Sequence, residues 1–458
     1  MQSVSKNPRI THIALIFICV YSLVFNDRFK IWHDDQNVFT WDVAVSYWYV
    51  PAAFINHDFH KFQERNPIPP APATGNPMPK YTYGMGLMYT PFFFVGHTIS
   101  KIKGAPLDGY SFYYAKSIHY GCLIYAMLGL FFLSLILLRY FNDAVSAITL
   151  LLVFFGTNLF TYSLIESERI HAAQFFLITL FVWLTIKWYE KASIRRSIIL
   201  GSVLGIVTVV RPPDIVVSLI FVLYGVKSFS DISAKIKMFL QQKKHIVWIT
   251  LFFLLFVFPQ FLYWKLYAGS WFYYGYQDEK FFWTQPKIWS YLFSYRNGWF
   301  LYAPLMGLAF VGLFLSKKYV QDLKIPTLTL VILNIYILSC WWCWWYMGFG
   351  NRSMVQYYPL MALGLASLIA YVAELIARSG KFENWFRYAG ISFLSLLLVF
   401  NLFQTMQYRD WLLHYEGMNK KTYWLIFGKA YLTDQEYKQL GEDLTKVDHE
   451  KAKKGERW

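Results

Sequence analysis

Three carboxylates, Asp34, Asp35 and Asp42, follow the first long apolar stretch of the chain, and aromatic residues surround the last of them. Carboxylates at the end of a membrane span are costly to keep near lipid unless they face water or serve a function. At the end of a span, a carboxylate can act as a general base that takes a proton from a hydroxyl group. This chemistry makes Asp42 the first candidate for catalysis, with Asp35 and then Asp34 in reserve. The alternative for Asp42 is a carboxylate that caps a helix N-terminus.

Basic side chains that can bind a phosphate occur in the segments predicted to lie on the same side of the membrane as Asp42. Arg352 is the first candidate, because it follows Gly348-Phe349-Gly350, a flexible turn just after a span. Guanidinium groups bind phosphate oxygens through charge-assisted hydrogen bonds. The further candidates for phosphate binding are Arg211, Arg296 and Lys80, with Arg169 and His171 also available. For each of them the alternative is a side chain that extends to lipid headgroups.

Two more carboxylates, Glu166 and Glu168, flank a short turn that His171 follows. They are candidates to bind substrate hydroxyls, to orient His171 or to hold a divalent metal. A turn that is simply solvated is the alternative for this group.

The composition identifies the elements that must position these side chains. Of 458 residues 56% are hydrophobic and only 15% charged, and the mean hydropathy is +0.33. This composition excludes an ordinary soluble globular protein. Because a helix needs about 20 apolar residues to cross a bilayer, eleven stretches are predicted to span it: 9–25, 112–138, 144–164, 170–187, 197–211, 214–226, 246–267, 301–316, 327–346, 354–377 and 388–407.

Lysine and arginine concentrate in alternate loops, which predicts a cytoplasmic N-terminus and an outer C-terminus. The net charge of +16 is therefore interpreted as a membrane-surface feature, with membrane lipids as partners and without nucleic acid. Outside lie a first loop at 26–111, a second at 268–300 and a tail at 408–458. We predict a transmembrane module over 1–407 and a small cap over 408–458. The charged half of the tail, from Asp434, is expected to be solvated and to fray.

The first outer loop contains two segments that can form helices without spanning the bilayer. Residues 41–55 are predicted to form a helix in the membrane interface. The stretch 80–94 is apolar but interrupted by glycine, and it is interpreted as a second interfacial or re-entrant helix. The predicted fold class is accordingly an all-α polytopic membrane protein.

Several short segments carry a resemblance to a known family. A retained first span, followed by a long outer loop that begins with an acidic motif, resembles the GT-C superfamily of integral-membrane glycosyltransferases. Its bacterial relatives that are similar to protein mannosyltransferases also resemble the segments at 47–52, 84–93, 166–172, 211–214, 293–300 and 348–352. One difference is Ser46, which stands where such relatives often have an aromatic residue.

The resemblance implies a GT-C-like bundle of about 11 transmembrane helices in the bacterial inner membrane, with a periplasmic C-terminus. It implies transfer of a sugar from a polyprenyl-phosphate carrier to an acceptor hydroxyl at the outer face, with Asp42 or Asp35 as the base. Tyr47 and Tyr83 become candidate substrate contacts, and the acceptor can be a protein, a lipid or a glycan. No cofactor is implied with certainty, and a divalent metal stays open. The alternative function is a transporter or flippase of lipid-linked or small polar solutes.

Overall fold

A computed structural model describes residues 8–33, 38–60 and 68–457, and these residues form helices joined by turns. Within these ranges, extended pairing is confined to two isolated bridges, Pro70 with Pro77 and Phe281 with Trp341. The prediction of an all-α fold is therefore confirmed.

The helices follow the apolar stretches of the sequence. In chain order they are α1 Arg9–Phe29, α2 Trp41–Tyr47, α3 Tyr49–Pro51, α4 Gly84–Ile102, α5 Phe112–Tyr140, α6 Asp143–Phe155, α7 Leu159–Leu164, α8 Ile170–Glu190, α9 Ile194–Val210, α10 Ser218–Leu223, α11 Asp231–Gln241, α12 Lys243–Ala268, α13 Ile288–Phe293, α14 Trp299–Tyr302, α15 Pro304–Leu315, α16 Gln321–Cys340, α17 Tyr358–Ala377, α18 Glu383–Arg409, α19 Lys420–Ile426, α20 Asp434–Asp443 and α21 His449–Lys454. Short 3₁₀ segments include Pro212–Val217 and Arg352–Tyr357, which lead into α10 and α17.

Seven of the described helical segments are long and apolar enough to cross a membrane, so the chain has the character of a multi-pass membrane protein. They are Arg9–Phe29, Phe112–Tyr140, Ile170–Glu190, Lys243–Ala268, Gln321–Cys340, Arg352–Ala377 and Gly380–Arg409. The other four of the eleven predicted spans coincide with shorter helices, α6, α9, α10 and α15. Helix-terminating residues explain why these helices are short: α6 ends at Phe155, before Gly156, α9 ends before Pro212, and α15 begins at Pro304.

The described chain divides into two compact units. The Asp42 unit comprises Tyr21–Phe132 and Glu166–Gln277, and the Arg352 unit comprises the chain up to Val20, Leu133–Ile165 and the chain from Asp278. In the Asp42 unit, α9 packs closely on α12: a Cβ added to Gly201 would lie 2.2 Å from the carbonyl oxygen of Ile249. In the Arg352 unit, a Cβ added to Gly312 would lie 2.0 Å from the carbonyl oxygen of Gly364. Small residues that let helix backbones touch are typical of membrane bundles.

The loop at 26–111, which is predicted to lie outside, contains helical segments at both places where the sequence predicts them. Helix α2, helix α3 and a π-helical turn at Ala52–Asn56 follow each other almost without interruption, and the series ends at His57, whose φ is +51°. The second segment is α4, a single helix of 19 residues. Whether either lies in the membrane interface stays a prediction.

The tail begins with a small folded core in the Arg352 unit. Apolar side chains of the tail pack together with Tyr302 and Phe349: Leu412, Leu413, Met418, Tyr423, Ile426, Leu432 and Leu440. Capping boxes at Asn419 and Thr433 begin α19 and α20, so local sequence explains where these helices start. The domain boundary at residue 407 and the outer location of the cap stay predictions.

The charged half of the tail is mostly exposed, as expected, but it is folded up to Arg457 and does not fray. It forms α20 and α21, and Arg457 is 2% exposed. The Arg457 guanidinium donates to the carbonyls of Ser339, Cys340 and Trp341 at 3.2, 3.0 and 2.9 Å, and also to that of Gln285. These carbonyls lie at the C-terminal end of α16, where a helix leaves acceptors unsatisfied. Charge composition alone could not predict this, because the partner carbonyls lie more than 100 positions away.

Candidate functional site

Asp42 lies in the first turn of α2, just beyond the C-terminal end of the first span. The N-cap of α2 is Thr40 and not Asp42, so the capping alternative for this carboxylate does not hold. A carboxylate in the first turn still gains from the partial positive charge at a helix N-terminus. The side chain is 33% exposed, which leaves it accessible from solvent.

The Asp42 carboxylate is held between a tyrosine and an arginine. The Tyr81 hydroxyl donates to Oδ1 over 2.6 Å, and Nη1 of Arg169 lies 3.4 Å from Oδ2. Arg169 also pairs with Glu166, with Nε 2.8 Å from Oε2, and both side chains are 20% exposed. An arginine at this distance favours the ionised carboxylate. The arrangement is thus an oriented, partly exposed carboxylate next to a cation, which can accept a proton and stabilise negative charge.

The two residues that follow Tyr81 fix its position in the chain. The Thr82 hydroxyl donates to the Val209 carbonyl over 2.6 Å, and the Tyr83 amide donates to Oε1 of Gln260 over 2.9 Å. Nζ of Lys80 lies 4.8 Å from the ring centroid of Tyr276, and that ring also contacts Tyr81 edge-on at 6.0 Å. Lys80 therefore lies beside Tyr81 with its ammonium over an aromatic face, which is a favourable cation–π geometry.

The turn that carries Arg169 is fixed by the buried contacts of Glu168. Glu168 is 4% exposed, and its carboxylate contacts Nδ1 of His119, which is fully buried. The Tyr89 hydroxyl donates to the Glu168 carbonyl. His171 is also buried, at 3% exposure. Of the three predicted side chains in this turn, Glu166 is thus the one that lies in the partly exposed Asp42 cluster.

Tyr47 and Tyr83 have their hydroxyls occupied by main-chain carbonyls. Tyr47 is fully buried and donates to Gly109 over 2.5 Å, and burial raises its pKa well above the ordinary value. Tyr83 donates to Phe256 over 2.6 Å, and burial raises its pKa to about 12. Both tyrosines stabilise the fold of the Asp42 unit, and their predicted contact with a substrate stays a prediction.

Arg211 and Arg296 have protein partners within their own units. Nη1 of Arg211 lies 3.6 Å from Oδ1 of Asp214, whose other oxygen accepts from Gln174 over 2.8 Å. The guanidinium of Arg296 lies 5.0 Å from the ring centroid of Trp345, and the side chain is 6% exposed. Burial lowers the pKa of Arg296 from its usual value, against the opposing effect of Cys343 and Glu416.

Arg352 is half-buried at the start of a 3₁₀ segment, after a turn that is tightly hydrogen-bonded. Asn158 donates to the Phe349 and Gly350 carbonyls, both at 2.8 Å, and the Phe349 amide donates to the Tyr162 hydroxyl at 2.8 Å. Gly348 has a φ of +143°, and a Cβ there would lie 2.6 Å from that hydroxyl. Gly348 therefore serves the shape of this turn, and the predicted flexibility of the turn stays a prediction.

Asp34 and Asp35 lie outside the described residues. Across residues 8–33, 38–60 and 68–457, no three side chains of His, Cys, Asp or Glu converge as a metal-binding group.

Tyr81 is the functional candidate that sequence reasoning missed. It stands 39 positions from Asp42, and a tyrosine in an aromatic-rich chain gives no signal of its own. Arg169 appears only among the secondary cations, although its neighbours Glu166 and Glu168 mark the turn as unusual.

Comparisons with known proteins give little beyond this geometry. No family model matches the chain, and no curated protein sequence matches it significantly. Among solved structures it is similar to the crystal structure of the Archaeoglobus fulgidus oligosaccharyltransferase in the apo form, with a TM-score of 0.47 and 12% identity. That alignment covers 95% of this chain and 60% of the archaeal chain, so this chain spans well under two thirds of that protein.

Proposed function

We propose that the chain is a membrane glycosyltransferase that moves a sugar from a polyprenyl-phosphate carrier to an acceptor hydroxyl. Asp42 acts as the base at the outer face of a bacterial inner membrane. The observation that carries the proposal is the Asp42 carboxylate, oriented by Tyr81 and faced by Arg169 in a partly exposed cluster. Transfer to a hydroxyl needs a base that removes the acceptor proton while the anomeric carbon develops positive charge.

Cations near this base give the second requirement, which is stabilisation of the departing phosphate. Within the Asp42 unit these are Arg169 and Lys80. The proposal also retains Arg352 in the Arg352 unit as a phosphate ligand, with Arg211 and Arg296 as further candidates.

Segments that adjoin three spans contact one another near Asp42, and this supports a site at one membrane face. Asp42 lies in the segment that follows α1, Arg169 directly precedes α8, and Tyr276 lies in the segment that follows α12. Asp42 contacts Arg169, and Lys80, next to Tyr81, contacts Tyr276. The predicted topology assigns all three segments to the outer side.

Transfer by the purified protein in liposomes tests the proposal. The donors are polyprenyl-phosphate hexoses that carry a radiolabel, and the acceptor is a membrane extract from a strain that lacks the gene. We expect label to move from the lipid to the acceptor fraction, and Asp42→Asn to lower the rate about a hundredfold or more. Asp58→Asn is the matched control, because Asp58 lies in the same loop with 36% exposure.

Two results would contradict the proposal. One is transfer by Asp42→Asn at the wild-type rate. The other is wild-type protein that moves no label from any donor but lets the same vesicles accumulate solute, which would favour a transporter.

The outer location has its own test. Lys446→Cys should react with a membrane-impermeant thiol reagent in spheroplasts. Reaction only after lysis would place the tail on the cytoplasmic side and would contradict the proposed topology.

A further inference from the structure

We propose that His119 and Glu168 form a buried hydrogen-bonded pair that positions Arg169 opposite Asp42. His119 is fully buried and Glu168 is 4% exposed, so neither is a surface side chain that a substrate would meet first. The inference rests on the proposed function to the extent that Asp42 is the base. It assigns Glu168 a positioning role in place of direct substrate contact.

Both nitrogens of the His119 ring face oxygen atoms. Nδ1 faces Oε1 of Glu168, and Nε2 faces Oδ1 of Asn26. The Asn26 amide is oriented by its own Nδ2, which donates to the Ser22 carbonyl over 2.9 Å, so the oxygen faces the imidazole. Hydrogen-bonding partners therefore hold the ring from both sides.

Ser167 contacts the same ring. Its hydroxyl oxygen lies 3.2 Å from Nδ1 and 3.3 Å from the His119 carbonyl oxygen. Ser167 and Glu168, two consecutive residues of the turn, are therefore both anchored to His119.

The His119–Glu168 pair positions Arg169 because Glu168 and Arg169 are adjacent in the chain. Glu168 is fixed by its side chain to His119 and by its carbonyl to Tyr89, immediately before Arg169 begins α8 as the N-cap. Arg169 then reaches both Glu166 and Asp42. A buried hydrogen-bonded pair fixes the arrangement of its two partners, because separating them would leave buried polar groups unsatisfied.

Cross-linking tests the position of the turn without any assay of activity. In a protein with Asp42→Cys and Arg169→Cys, and with the partly exposed Cys19 replaced by Ser, a short bifunctional thiol reagent should join the two positions. The other three cysteines are buried and remain. We expect Glu168→Gln or His119→Gln to slow this cross-link about tenfold. The matched control is Glu190→Gln, which breaks an ion pair with Lys187 near the other end of α8.

An unchanged cross-linking rate in folded Glu168→Gln protein would overturn the proposal. If that variant does not fold, Tyr89→Phe replaces it, because this change removes one hydrogen bond to the same turn and leaves no unpaired charge. We expect it to slow the cross-link about threefold, and no change would again overturn the proposal.

Kinetics then distinguish positioning from general stabilisation. Glu168→Gln should lower kcat about tenfold with the donor KM within twofold, and it should have no further effect in an Arg169→Gln protein. Additive effects would overturn the proposed route through Arg169. If wild-type protein transfers no sugar while the cross-link still depends on Glu168, the proposed function fails and the positioning pair stands.

Discussion

The Tyr81 hydroxyl donates to one oxygen of the Asp42 carboxylate, and the other oxygen faces Arg169. The hydrogen bond fixes the plane of the carboxylate, while a third of the side chain stays open to solvent. A base that is oriented before the substrate arrives loses less freedom in the transition state.

Loss of the Tyr81 hydroxyl should reduce catalysis without removing the base. A hydrogen bond to a charged group contributes about 1.5 kcal/mol or more, so we expect Tyr81→Phe to lower kcat roughly tenfold. Steady-state transfer kinetics measure the effect. Tyr125→Phe is the control, since its hydroxyl donates to the Met88 carbonyl and not to Asp42. Equal kcat for Tyr81→Phe and wild type would show that the bond has no catalytic role.

Arg352 should be replaceable only in part. If its guanidinium binds the carrier phosphate through two hydrogen bonds, Arg352→Ala should weaken donor binding about tenfold or more, and Arg352→Lys should restore part of it. Equilibrium binding of radiolabelled donor to protein in detergent gives the affinities. Arg378→Ala, at the opposite end of α17, is the control. Donor affinity that is the same in all three variants would reduce Arg352 to a lipid headgroup contact.

Gly348 should not tolerate a side chain. Its φ of +143° is unfavourable for alanine, and the new Cβ would lie 2.6 Å from the Tyr162 hydroxyl. We expect Gly348→Ala to destabilise the protein by about 1–3 kcal/mol, seen as a lower Tm in detergent. Gly390→Ala, in helix α18 with no atom within 4 Å of its added Cβ, should leave Tm unchanged or raise it. Equal Tm values for the two variants would contradict the strain.

The tail should lose stability in mild acid through His414. Its Nδ1 accepts from the amides of Glu416 and Gly417 at 3.2 and 2.8 Å, and burial lowers the pKa of His414 below 6.5, with Glu416 opposing. The unfolded state therefore binds the proton more readily, so this contribution is complete above pH 6.5 and is lost as the pH falls below that value. Thermal unfolding between pH 7.5 and 5 should show a decline in Tm. His414→Asn should have a smaller decline, and an unchanged slope would exclude this histidine as the cause.

Local sequence was sufficient for the elements of the fold. Apolar length predicted the long helices, and the position of Asp42 beyond the first span made it a candidate base. The partners of Asp42 could not be predicted from local sequence, because Tyr81 and Arg169 lie 39 and 127 positions away in the chain. Such contacts depend on how helices pack, which periodicity and composition do not encode.

Burial explains the other differences between sequence and structure. Glu168, His171 and Tyr47 are polar side chains next to a suspected site, yet each is buried. The sequence does not distinguish a carboxylate that faces solvent from one that faces a buried imidazole. For Glu168 the deciding fact is His119, which lies 49 positions before it in a different helix.

The Arg457 guanidinium closes the end of α16 from a point 116 positions beyond Trp341 in the chain. At ribosomal rates, that interval corresponds to synthesis on the order of ten seconds. During this time α16 has already been made, while the carbonyls of Ser339, Cys340 and Trp341 have yet to meet their donor. Membrane insertion of this segment and completion of its native hydrogen bonds are therefore separate events in time, and any chain that stops before Arg457 keeps the first without the second.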